Sequence, residues 1–457
     1  MFRKCIAGLG LDESHLVLDW GNSGFREAFW QIGLVLTRLP SDTTFLGATA
    51  TLPTHQTSSL ISTLGLKPGT FFFNRHSNLR RDMCLIFRLL RHSLGGWQFP
   101  DLKWIVEGNR KTIIYSDTIS LAFRLLVYLW HCSPPETRNS RIQMYCSICL
   151  SSYNECTRQL FVEDPNLQVV IATDSLKVGN DFPNVADVVV LNPKDPNDIV
   201  QKTGRAGRDR RLVSDPRGIV YFTKMQVEHV KSMMDGDNIQ KGEKSAKKAE
   251  EKMSPELVRL ILTPCIPSEL NIQYDNPSDD PLCLCETCPL VSPSYPATCN
   301  CSRCVPELAL PSLPRSRAQP TVLPMAQRLT DEMRKIAEQQ LRDFRRNLWD
   351  QSLDVSLQHL PPSAFLPDPI ITDILNNFAC ITKHATAASF IKDIWPLDDH
   401  HDAFFTIICQ LRDTFTTLRG KDLQFAKGMQ QDRNTQGQRQ RCAIVLYHFV
   451  HFINLIN

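Results

Sequence analysis

At 457 residues, 42% of them apolar, the chain is long enough for two to four domains, each able to bury a core. Lysine and arginine exceed aspartate and glutamate by three, 51 against 48, so charge alone neither requires nor excludes a nucleic-acid partner; a binding groove needs local positive charge, not a basic whole. No apolar run reaches the roughly 18 residues that cross a bilayer, and the N-terminal MFRKCIAGLGLDESH lacks the apolar stretch of a signal peptide. The expectation is a soluble intracellular protein with no membrane partner, in which sixteen cysteines point to metal rather than to disulfides.

Up to about residue 230, short β-branched or apolar runs alternate with helical patterns, as in an α/β fold with a parallel sheet. Strands are expected at 111–116, 168–173, 186–191 and 218–222, and helices at about 118–131, 154–161 and 197–203, a doubly wound arrangement. Residues 238–252 are of mixed charge and nearly free of apolar side chains, an exposed helix or a linker. Six cysteines crowd into 283–304, and the stretch 305–324 carries five prolines, a second linker. Beyond it Leu329, Met333, Ile336, Leu341, Phe344 and Leu348 recur at three-to-five-residue steps, an amphipathic helix opening a region that reads as helical to about residue 420. The apolar tail after it carries no chemistry that can be named.

Chemistry enters at Leu11-Asp12-Glu13-Ser14-His15. In a phosphate-loop motor an aspartate at a strand end holds Mg²⁺ and an adjacent glutamate orients and deprotonates the attacking water, so the two carboxylates must be consecutive. The most specific string is Gln201-Lys202-Thr203-Gly204-Arg205-Ala206-Gly207-Arg208-Asp209: arginines three apart read as sharing one helical face, their forks within reach of terminal phosphates, while glycines let backbone come close. Between these lie Leu46-Gly47-Ala48-Thr49-Ala50-Thr51 and Ile171-Ala172-Thr173-Asp174, the latter followed by Gly179-Asn180-Asp181-Phe182. Each ends an expected strand with small or hydroxyl residues, as suits a loop approaching phosphate or nucleic-acid backbone. The pair Cys146-x-x-Cys149 reads as packing.

Taken in order, with Thr112-Ile113-Ile114-Tyr115-Ser116 between them, these strings resemble motifs II to VI of the superfamily-2 helicases. Trp20-Gly21-Asn22-Ser23-Gly24-Phe25-Arg26 resembles the aromatic-rich loop of the RecQ branch, and Phe73-Asn74-Arg75 its Phe-Asn-Arg at the junction of two lobes. Cys265-Ile266-Pro267-Ser268-Glu269-Leu270 followed by Cys283-Leu284-Cys285-Glu286-Thr287-Cys288 resembles the cysteine platform that follows the RecQ motor. Cys299-Asn300-Cys301-Ser302-Arg303-Cys304 repeats the spacing and leaves open alternative ligands or a second site.

The resemblance, over roughly residues 11–290, implies two RecA-like lobes, the remainder of the first at 1–70 and the second at 71–235. A helical zinc-binding region at 236–305, a linker at 306–325 and a helical region at 326–457 complete the expected layout. The implied activity is ATP-dependent 3′ to 5′ unwinding of DNA, with ATP, Mg²⁺ and Zn²⁺ as cofactors. Glu13, Arg205 and Arg208 are the implied catalytic residues, and Asp12, His15, Gly179, Asp181 and Gln201 the implied nucleotide contacts. Trp20, Phe25, Arg26, Ala48, Thr49 and Thr173 are the implied DNA-coupling residues, and Cys265, Cys283, Cys285 and Cys288 the implied zinc ligands. Expected partners are single-stranded and partly duplex DNA and DNA repair or recombination proteins, in the nucleus.

This sequence departs from the family at Ser14, where alanine is usual, at Gly47, at Asn180 and at Arg210, and contains no Gly-Lys-Ser/Thr phosphate loop, which in the family precedes the position of Asp12. The 457 residues alone are therefore expected to hydrolyse ATP poorly. A non-catalytic nucleic-acid-binding remnant is the alternative expectation, ahead of an RNA helicase of the DEAH or DEAD groups.

Overall fold

The computed structural model describes residues 6–18, 27–40, 42–176, 181–234, 253–278, 299–309, 328–352, 360–392 and 394–420. The chain divides into two compact units, 1–314 and 315–457.

The first unit begins with two short parallel strands, β1 (Gly8–Leu11) and β2 (Thr44–Gly47), paired Gly8 to Thr44 through Leu11 to Gly47. Helix α1 (Thr54–Thr63) follows, and its Leu60 packs with Val17, Leu18, Leu52 and Leu64. The main sheet is six-stranded and parallel: β3 (Cys84–Leu89), β4 (Thr112–Tyr115), β5 (Ile142–Tyr145), β6 (Val169–Ala172), β7 (Asp187–Leu191) and β8 (Arg217–Phe222), in the order β3-β8-β7-β4-β6-β5. Strands β4, β6 and β7 read TIIY, VVIA and DVVVL and are buried at every position, as strands covered on both faces must be. Alternation sends Ile113, Val170, Val188 and Val220 into one core and Ile114, Ile171, Val189 and Ile219 into the other.

Helices cover both faces. Helix α2 (Ile119–Cys132) starts where Thr118 Oγ1 accepts the Leu121 N–H at 3.2 Å and buries Leu121, Leu125 and Leu129 on one face. On the other lie α3 (Ser151–Glu163), α4 (Pro196–Thr203), α5 (Lys224–Met234), α6 (Pro255–Leu262) and α7 (Ile266–Tyr274), through Phe161, Ile199, Val230, Leu260 and Leu270. Asp195 caps α4 by accepting the Asp198 N–H at 2.8 Å, with Pro196 in the first helical position. The four expected strands and three expected helices are present, shifted by a few residues at their ends. The two strands that sequence did not reveal, β3 and β5, are the outermost in the sheet.

Edge strand β3 is covered. Ser302 donates its N–H to Leu85 O at 3.0 Å and accepts the Phe87 N–H on its hydroxyl at 2.8 Å, while Arg88 donates to Leu308 O at 3.1 Å. The cysteine-rich turn 299–305 thus takes the place of a seventh strand and satisfies backbone groups that an open edge would leave to solvent or to another chain. At the amino end of β7, Asp187 is fully buried between Arg110, at 2.9 Å, and Arg217.

The described residues of the second unit are helical. Thr330 caps α8 (Asp331–Gln351), which packs with α9 (Asp368–Asn376), α10 (His384–Ile391) and the helical residues 401–420. Met333, Leu341, Phe344 and Leu348 of the expected stripe are buried; Leu329 and Ile336 are partly so, and Ala337 completes the contact face.

Candidate nucleotide and nucleic-acid site

The Asp12-Glu13 turn follows β1 directly, and the adjoining β2 strand fixes it: Ala48 donates to Leu11 O and accepts from Ser14 N–H, both at 2.9 Å. Glu13 takes a left-handed backbone, φ 48°, and its N–H is held by Asp12 Oδ1 at 2.8 Å. A non-glycine residue there costs about 1–3 kcal/mol, and such strain gathers at functional turns. Two residues on, the His15 ring is buried, with Nδ1 2.7 Å from Thr49 Oγ1 and 3.4 Å from Glu13 Oε2.

Gln201, from the far end of the unit, closes this cluster. Its amide nitrogen donates to His15 Nε2 at 2.7 Å and to buried Thr51 Oγ1 at 2.6 Å. With Nε2 accepting, the imidazole proton sits on Nδ1 and points at Thr49. Three expected site residues, His15, Thr49 and Gln201, thus form one hydrogen-bonded group with Thr51; Glu13 lies beside it, 3.4 Å from His15 Nδ1, and Ala48 supports it through its backbone.

The arginines sit differently from the expectation of a shared helical face. Helix α4 ends at Thr203, and Gly204 to Arg208 form a turn with Gly207 at φ 57°. A side chain at Gly207 would meet Pro216 at 2.5 Å, so the left-handed turn requires glycine at this position. Arg205 is nonetheless buried and interacts with Glu13; burial first, then Arg208, push its pKa below the usual guanidinium value, while Tyr115, Glu13 and Asp181 oppose that. Arg208 is more exposed and donates to Asp181 at 2.8 Å. The turn therefore directs one buried guanidinium, Arg205, toward Glu13 and leaves a more exposed one, Arg208, paired with Asp181.

Lys202, between Gln201 and the arginines, received no role from sequence. It is buried, with Nζ 2.8 Å from Asp198, 2.9 Å from Asp174 and 5.5 Å from the centre of the Tyr115 ring. Burial alone would lower its pKa, but Asp198 and Asp174 overturn this and raise it. Asp174 belongs to the loop after β6, where Thr173 Oγ1 meets Ser175 Oγ at 3.1 Å and Thr173 N–H donates to Tyr145 O at 3.3 Å. Thr173 thus sits apart from the His15 group and connects to α4 through Asp174 and Lys202.

Arg75, of the Phe-Asn-Arg string, donates to Leu52 O at 3.1 Å, Tyr274 O at 2.5 Å and Thr57 Oγ1 at 3.0 Å, with its guanidinium 5.1 Å from the Phe73 ring centre. It joins the segment after β2 to α7. Trp20, Phe25, Arg26 and Gly179 lie outside the described residues, as do Cys283, Cys285, Cys288 and the charged stretch 238–252.

Among the described residues, Cys265 is grouped with the second cysteine triplet: the sulfurs of Cys265, Cys299, Cys301 and Cys304 all lie within 4.8 Å of one another. Cys265 immediately precedes α7 and the other three sit on the turn that covers β3. Burial pushes the Cys301 thiol up, but backbone N–H groups of Cys304, Ile266 and Arg303 outweigh it and favour the thiolate; burial pushes Cys299 up. Four sulfurs at this spacing, with N–H donors on the most buried one, fit a tetrahedral thiolate metal site.

Residues 98–210 match the helicase conserved C-terminal domain family. No curated protein matches. Among solved structures, the chain is similar to Mss116p bound to single-stranded RNA and AMP-PNP, at 19% identity over 52% of this chain and 47% of that one, TM-score 0.38. It is similar also to the Mycobacterium smegmatis helicase Lhr bound to single-stranded DNA and AMP-PNP, at 19% identity over 51% of this chain and 32% of that one, TM-score 0.39. A third is S. cerevisiae Dbp5 bound to RNA and ADP BeF3, at 18% identity over 50% of this chain and 57% of that one, TM-score 0.37. The chain thus spans about half or less of the length of the first two.

Proposed function

We propose that the chain is part of an ATP-driven superfamily-2 helicase of RecQ type that unwinds DNA. The observation that carries this reading is the Glu13, His15, Thr49, Thr51 and Gln201 group. It joins a carboxylate turn suited to Mg²⁺ and water activation to the helix leading into Arg205 and Arg208, from segments 186 residues apart. In such a motor Asp12 holds the metal, Glu13 activates water and the arginines stabilise charge on the transferred phosphoryl group. ATP and Mg²⁺ are the cofactors, single-stranded and partly duplex DNA the ligand, and DNA repair or recombination proteins in the nucleus the expected company.

The same reading assigns one structural Zn²⁺ to the cysteine group, since a RecQ-type motor is followed by such a platform. The ligand set is Cys265, Cys299, Cys301 and Cys304, the four that the fold gathers. The zinc organises the turn over β3 and takes no part in ATP chemistry.

The test uses a protein in which a phosphate-loop lobe precedes Met1. Arg208→Ala is expected to lower kcat of DNA-stimulated ATP hydrolysis by on the order of 10³-fold with little change in nucleotide affinity, because an arginine finger acts on charge that develops in the transition state. A kcat within about tenfold of wild type would make Arg208 a surface residue and remove this assignment of the turn. Competition between DNA and RNA strands of one sequence decides the ligand: preference for RNA would overturn the RecQ-type assignment.

A further inference from the structure

Cys146 and Cys149 belong to neither the nucleotide site nor the four-cysteine group, yet their sulfurs lie 3.3 Å apart at the carboxyl end of edge strand β5. The backbone has already brought them together. Cys149 N–H donates to Cys146 O at 3.2 Å, and Asn154 Nδ2, from the first turn of α3, holds the same carbonyl at 2.9 Å. A closure of little more than about 1 Å would reach the roughly 2.05 Å of a disulfide. Cys146 is fully buried and Cys149 partly exposed, so a reagent from solvent meets Cys149 first.

We propose that Cys146 and Cys149 form a reversible intramolecular disulfide, which makes the turn after β5 an oxidation site for low-molecular-weight disulfides such as oxidised glutathione. The Cys149 thiolate attacks one sulfur of the oxidant, forming a mixed disulfide and releasing one thiol. The Cys146 thiolate then attacks Cys149 Sγ, closing the internal bond and releasing the second thiol. Two protein thiols are oxidised and one disulfide is reduced to two thiols, which carry away the two protons. Burial, followed by the Cys146 thiol, pushes Cys149 above the ordinary thiol pKa, so exchange is slow and the pair is a target of oxidation rather than a catalyst of it. Tyr145, the residue before Cys146, accepts the Thr173 N–H at 3.3 Å, so closing the bond strains the loop at Thr173 and weakens single-stranded DNA binding. That consequence rests on the proposed function; the disulfide does not.

Two measurements on the full chain test these separately. After equilibration with oxidised glutathione, alkylation and trypsin, residues 142–158 are released as one peptide carrying Cys146, Cys149 and the exposed Cys156. The expected product bears one alkyl group, on Cys156, and lacks two hydrogens; dithiothreitol reverses it, Cys149→Ser abolishes it and Cys156→Ser leaves it. Three alkylated cysteines after oxidation, or a bond through Cys156, would overturn the site. In the second measurement, oxidised wild type is expected to bind single-stranded DNA severalfold more weakly than reduced, with no redox response in Cys149→Ser. Equal affinities would overturn the link to the Thr173 loop while leaving the disulfide established. No DNA binding in either state would count against the proposed function instead.

Discussion

A lysine in a protein interior is tolerated only where its charge is matched, and Lys202 meets that condition with two carboxylates and an aromatic face. Removing the ammonium strands Asp198, itself buried, so Lys202→Met is expected to destabilise the first unit by about 3–5 kcal/mol, the usual result of breaking one side of a buried pair. Lys202→Arg, which keeps the charge, is expected to recover much of this. Thermal unfolding of the three proteins checks it, and a methionine variant that melts like wild type would show the pair to be replaceable by solvent. Sequence named the neighbours on either side, Gln201 and Arg205, because their types carry recognisable phosphate and amide chemistry. It was silent on Lys202 because its role depends on Asp174, 28 positions earlier, and nothing in either local string announces the partner. The Gln201 contact with His15 was legible only as membership of two motifs; the bond itself needed the fold.

At the scale of elements, what was legible follows burial. Strands β4, β6 and β7 are covered on both faces and read as plain apolar runs, whereas β5, IQMY, is only half-buried and β3 ends in Arg-Leu, so neither edge strand stands out from its surroundings. The expected shared helical face of Arg205 and Arg208 is absent because the helix stops at Thr203 and the chain turns, with Gly207 left-handed against Pro216, the residue before β8. Ser302 pairs with β3 and carries Cys299, Cys301 and Cys304 to Cys265, a meeting that spacing alone cannot show, whereas Cys283, Cys285 and Cys288 lie outside the described residues. If this group holds the zinc, Cys301→Ser lowers bound metal from about one per chain toward zero, and Cys288→Ser leaves it; elemental analysis decides, and the reverse pattern would return the site to Cys283, Cys285 and Cys288. Chelation is then expected to loosen the cover on β3 and expose an edge that pairs with other chains, read as concentration-dependent self-association in light scattering. A metal-free protein that stays monomeric would mean that the Ser302 and Arg88 contacts hold the cover without metal.

Across the whole molecule, the first unit is one body built on the six-stranded sheet: α6, α7 and the cysteine turn share its core, with Leu257, Leu260, Leu270, Tyr274 and Cys301 packed among the strand residues. In the sequence the charged stretch 238–252 marks a boundary and the platform beyond it is what the resemblance implies; in the fold, side chains from beyond that stretch share the core of the sheet. The second unit has a core of its own around Phe344, Ile374, Phe404 and Ile408. The division between the units falls within the proline-rich stretch, whose apolar residues follow neither a helical nor a strand period. Two compact units predict two unfolding events: calorimetry of the intact chain should resolve two transitions, and chelation should shift only the one belonging to residues 1–314. Limited trypsin digestion has cleavage sites at Arg315 and Arg317, so it should yield two protected fragments, the larger of which, on the proposed function, carries the nucleic-acid binding. A single transition that moves as a whole on chelation would mean that the helical unit depends on the sheet unit for its stability. In that case residues 315–457 would have to be counted as part of the motor's core.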